Sequence, residues 1–75
     1  MVFETIRSLL ASQLGCDEGR ITMQTVILED LEAEPEDLEE LMLSLEQELA
    51  VSWSDRDLKT LTTVGDLVAF VENQI

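Results

Sequence analysis

Histidine and tyrosine are absent from this 75-residue chain, and cysteine, proline and tryptophan each occur once. With no histidine and one cysteine there is no zinc ligand set and no internal disulfide. A reduced, cytoplasmic setting is the expectation that follows. Only four residues are basic against seventeen acidic, for a net charge of −13. That excess repels phosphate backbones and anionic lipid, which excludes nucleic acid and membrane as partners. No apolar run reaches the eighteen or so residues of a membrane span, and the opening MVFETIRSLL is too broken by charge for a signal peptide. Three glycines, at 15, 19 and 65, leave no phosphate-cradling loop, and no acid–base pair or nucleophile triad is present. The chain is expected not to be an enzyme.

What is there is aliphatic. Hydrophobic residues make up 45% of the chain, too many for the charge to signify disorder. Phe3, Ile6, Leu9, Leu10 and Leu14 follow the spacing of one buried helical stripe, which Gly15 is placed to end. Leu38, Leu41, Met42, Leu45 and Leu49 form a second stripe. A short third helix is expected after Ser54, with Asp57 three residues on as a capping partner. A fourth begins at Thr63, with Asp66 three residues on, and carries Val64, Leu67, Val68, Val71 and Ile75. These stripes, with no alternating strand pattern, predict a single all-α domain over residues 1–75, a four-helix bundle. Between Gly15 and Glu34 lies a connection of about twenty residues, long for a compact domain unless it is pinned. Ile21, Val26, Ile27, Leu28 and Leu31 are its expected anchors, with Met23 in support. Trp53 is expected in the core.

Residues 27–49, ILEDLEAEPEDLEELMLSLEQEL, resemble the second helix and its lead-in from acyl carrier proteins. Glu29, Asp30, Leu31, Asp37, Glu40, Leu41, Leu45, Glu46 and Glu48 fall on matching positions. LAVSWSDRDLKTLTTV continues the likeness towards the last helix, so it covers nearly the whole chain. The resemblance implies a small bundle of acyl-carrier type, with a long loop between its first two helices and a short third one. It also implies a phosphopantetheine arm on a serine at the start of the second helix. Pro35 stands at that position, and its ring nitrogen offers no hydroxyl to phosphorylate. Glu36 and Glu39 replace apolar residues that help seat that helix on partner enzymes, and Glu32 replaces a turn glycine. No phosphopantetheine cofactor is therefore expected.

Proline is well suited to a helix start, since its missing N–H would be unpaired there and its φ is already helical. Glu36 and Asp37 in the first turn then interact favourably with the helix dipole. From Glu29 to Glu48 there are ten acidic residues and no basic one. Such one-sided charge is read as a recognition surface for a basic patch on a protein partner, with Glu36, Asp37, Glu39, Glu40, Leu43 and Glu46 as the contact residues. The resemblance implies a carrier-dependent synthase or transferase as that partner, and fatty-acid, polyketide or related biosynthesis as its setting; the chain itself is expected to be a monomer. Two other readings stand beside this one: a working acyl or peptidyl carrier modified at another residue or with a different native residue 35, and an acidic regulatory protein sharing only the fold. Asp30, Glu32 and Glu34 alternate as in the start of an EF-hand loop. Pro35 then occupies the sixth position, where glycine is needed, and Leu41 the twelfth, where a carboxylate is needed, so no specific metal site is expected. Cys16 lies beside Asp17 and Glu18, which disfavour a thiolate.

Overall fold

A computed structural model describes residues 2–75. Among these residues there are five α-helices: α1 (Val2–Leu14), α2 (Ile27–Asp30), α3 (Pro35–Leu49), α4 (Asp55–Leu58) and α5 (Val64–Glu72), with a 3-10 turn at Glu18–Arg20 between the first two. The all-helical expectation holds. The helix it lacked is α2, one turn inside the long connection and too short to show a periodic stripe.

The three long helices share one core. Ile6 and Leu10 of α1, Leu41, Met42 and Leu45 of α3, and Val64, Leu67, Val68 and Val71 of α5 are all almost fully shielded from water. α1 packs against both α3 and α5. Burying each such side chain contributes about 1.5–3 kcal/mol, which is why the stripe spacing dominates the fold. A polar tie joins two of these helices: Gln13 Nε2 donates to the Asp37 carbonyl at 2.6 Å. Ile75 departs from the expected stripe. The helix ends at Glu72, three residues earlier, and Ile75 is 67% exposed.

The long connection is held by backbone hydrogen bonds to the α5 entrance. Ile27 N–H donates to the Thr62 carbonyl at 3.0 Å, Val64 N–H to Thr25 at 2.9 Å, and Gly65 N–H to Met23 at 2.8 Å. A side chain at residue 65 would place its Cβ 2.9 Å from that Met23 oxygen, so the close approach requires glycine. Ile21 and Ile27 are buried, as expected of anchors, and Leu31 packs against the core. Leu28 and Met23 are not anchors: they are 36% and 41% exposed. Met23 supports the loop through its carbonyl, while its side chain points outward. Arg7 steadies the 3-10 turn, pairing with Glu18 at 3.4 Å and lying 5.2 Å from the Phe3 ring centre.

The starts of α3, α4 and α5 follow one rule. Glu34 N–H donates to Asp37 Oδ2 at 2.9 Å, Ser54 N–H to Asp57 Oδ2 at 2.9 Å, and Thr63 N–H to Asp66 Oδ2 at 3.0 Å. Each aspartate stands three residues into its helix and satisfies a donor that the helix cannot. The spacings at Ser54 and Thr63 made two of these legible in advance.

Candidate functional site

The α3 entrance is built by two consecutive local motifs. α2 ends in a left-handed residue, Glu32 at φ 52°, with Ala33 N–H donating to the Leu28 carbonyl at 3.0 Å and Glu32 N–H reaching Glu29 at 3.4 Å. That pair of bonds is the helix-ending arrangement that glycine normally serves. The chain then turns through Glu34, extended at φ −102° and ψ 161°, into Pro35 at the first helical position. Pro35 is solvent-exposed. No serine or threonine occurs between Thr25 and Ser44, so the helix start carries no hydroxyl at all. Ser44 lies mid-helix and half-buried.

From that entrance α3 presents one open face. Glu36, Glu39, Glu40, Leu43 and Glu46 are exposed and recur every three or four residues along one side. Leu43 is 50% exposed, an apolar spot within a row of carboxylates. Asp37, expected on the same surface, is half-buried and its carboxylate is engaged with the Glu34 N–H. It shapes the helix start. No lysine or arginine lies on α3 to neutralise the row.

Beside this face runs an apolar groove that periodicity did not reveal. Leu28 of α2, Pro35 and Leu38 of α3, and Leu58 of α4 line a cavity of about 220 Å³, with Glu39 and Lys59 at its rim. It continues into a second concavity of about 270 Å³ past Val26, Glu29, Leu61 and Thr62. Its walls join α2 and the start of α3 to α4, about twenty residues further along, which is why no local pattern announces it. Two hydroxyls elsewhere are engaged: Ser54 Oγ donates to Asp57 at 3.2 Å, and Ser8 Oγ to Glu18 at 3.4 Å. Trp53 is half-buried against the core, not inside it, and its indole N–H is shielded without a partner. Among the described residues no helix is long and apolar enough to cross a membrane.

Residues 4–71 match the family model described as phosphopantetheine attachment site. An acyl carrier protein of Thermotoga maritima is 34% identical over 74 residues, covering 99% of this chain and 91% of that protein. An acyl carrier protein of Clostridium acetobutylicum is 35% identical over 72 residues, covering 96% and 94%.

Proposed function

The chain belongs to the acyl carrier protein family, which makes it a carrier-type protein and not an enzyme, and from that membership we propose that it serves as an interaction module that does not take the phosphopantetheine arm at the family position. The family normally carries phosphopantetheine, joined through a phosphodiester to a serine hydroxyl. Pro35, which the sequence resemblance puts at that serine's place, cannot form the bond. One observation carries the reading: the exposed start of α3 has a proline ring and glutamates where the attachment chemistry needs a hydroxyl and apolar neighbours. What remains is the docking surface itself. Glu36–Glu40 and Glu36–Glu39 are like-charged helical neighbours, each costing about 0.2–0.5 kcal/mol. A basic surface on a carrier-dependent synthase or transferase would relieve that repulsion and be steered by it. The second reading, a carrier armed at another residue, draws on the family match alone.

Intact-protein mass after incubation with coenzyme A and a promiscuous phosphopantetheinyl transferase tests the proposal. Wild type should gain no mass, Pro35→Ser should be modified slowly, and Pro35→Ser with Glu36→Leu faster. One added arm on wild type supports the second reading and overturns the first.

A further inference from the structure

We propose that Met23 is a reversible oxidation site: its thioether takes one oxygen from a hydroperoxide, and the guanidinium of Arg7 receives the resulting sulfoxide. Of the two methionines among the described residues, Met42 is sealed in the core at 0% exposure and Met23 is 41% exposed. The backbone and the side chain of Met23 have separate tasks. Its carbonyl accepts the Gly65 N–H at 2.8 Å and holds the long connection to α5, so the side chain can change chemically without releasing that bond. The side chain lines an open cleft of about 430 Å³, walled also by Phe3 and Arg7 of α1, Glu18 and Ile21.

With hydrogen peroxide as oxidant, a sulfur lone pair attacks one peroxide oxygen. The S–O bond forms as the O–O bond breaks, and the departing hydroxide takes the remaining proton and leaves as water. Sulfur is oxidised by two electrons and the peroxide is reduced by two. The product is a polar side chain with a strong acceptor oxygen, which Phe3 and Ile21 alone could not satisfy. Arg7 can. Its Nε is shielded from solvent and has no hydrogen-bond partner among the described residues; the 3.4 Å approach to Glu18 Oε1 is an ion pair without a hydrogen bond. A guanidinium has five N–H donors, and a thioether is a weak acceptor for any of them. Oxidation therefore supplies an acceptor that the reduced cleft lacks, and the protein consumes oxidant at an exposed position while keeping its fold. The exposed sulfoxide stays open to methionine sulfoxide reductases, which restore the thioether.

The test treats the protein with dilute hydrogen peroxide, followed by peptide mass mapping, urea unfolding and NMR of isotope-labelled arginine side chains. Met23 should gain one oxygen while Met42 gains none, the urea midpoint should hold, and the Arg7 Nε–H signal should move. Met23→Gln, which puts an amide oxygen where the sulfoxide would be, should move the same signal without oxidant. Arg7→Leu should oxidise at Met23 as readily, but its midpoint should fall on oxidation relative to its own reduced form. Methionine sulfoxide reductase with a thiol reductant should return the original mass and Arg7 signal. Oxidation of Met42 as fast as Met23 overturns the proposal. So does an Arg7 signal unmoved in both the oxidised protein and Met23→Gln, or an equal midpoint change on oxidation in wild type and Arg7→Leu. A sulfoxide that resists the reductase overturns the reversibility.

Discussion

The side-chain amide of Gln74 brackets Ser52: its Oε1 accepts the Ser52 N–H at 2.7 Å and its Nε2 donates to the Ser52 carbonyl at 2.8 Å. Ser52 lies in the irregular stretch between α3 and α4, so a residue beyond the end of α5 supplies the pairing that a neighbouring strand would otherwise give. Gln74→Ala should remove both bonds. At about 0.5–1.5 kcal/mol each, the cost is about 1–3 kcal/mol, and exposure to solvent places it at the lower end. Amide exchange should rise first at Ser52, while Leu41 and Leu67 keep their protection. Unchanged exchange at Ser52 contradicts the bracket.

Glu32→Gly should stabilise the fold. Glu32 holds φ 52°, a conformation in which its Cβ crowds the following carbonyl. Glycine avoids that strain but loses more chain entropy on folding, so the net gain is about 1 kcal/mol. Urea unfolding should show a higher midpoint at unchanged slope. A lower midpoint would mean that the Glu32 side chain contributes something its exposure conceals.

Leu45→Ala should destabilise by about 2–5 kcal/mol, a large part of what a domain of this size possesses. Leu45 is fully buried in the core shared by α1, α3 and α5. Leu43→Ala, two residues away and half exposed, should change stability far less. Equal effects of the two substitutions on the denaturation midpoint would put the wrong face of α3 inward.

Asp66 sets one limit on acid stability. The Thr63 N–H bound to its carboxylate holds its pKa below the ordinary value, aided by Thr62 N–H and the Thr63 hydroxyl against a partial desolvation that acts the other way. A depressed folded-state pKa stabilises the fold above the unfolded-state value of about 3.9, and the contribution is lost as pH falls through the lower folded-state value. Asp66→Asn should therefore be less stable than wild type at neutral pH, with the difference shrinking below about pH 4. A difference that is constant across that range in thermal melts contradicts the linkage.

The helical stripes, the glycine ending α1 and the two threonine- or serine-led helix starts were legible because each depends on residues within one or two turns of one another. Pro35 was legible in the same way: a residue without a hydroxyl cannot gain one by folding. The acidic row on α3 followed from spacing alone, apart from Asp37, whose carboxylate folding diverted to the Glu34 N–H. The tertiary structure decided what spacing cannot reach. Leu28 and Ile27 are adjacent and similarly apolar, yet Ile27 is sealed in the core while Leu28 opens onto the groove. Which way each points depends on where α4 and the α5 entrance lie, some thirty residues further along. Hydrophobicity drives burial without choosing direction, so local composition determined the helices and their charge, and only packing decided which apolar surface remained exposed.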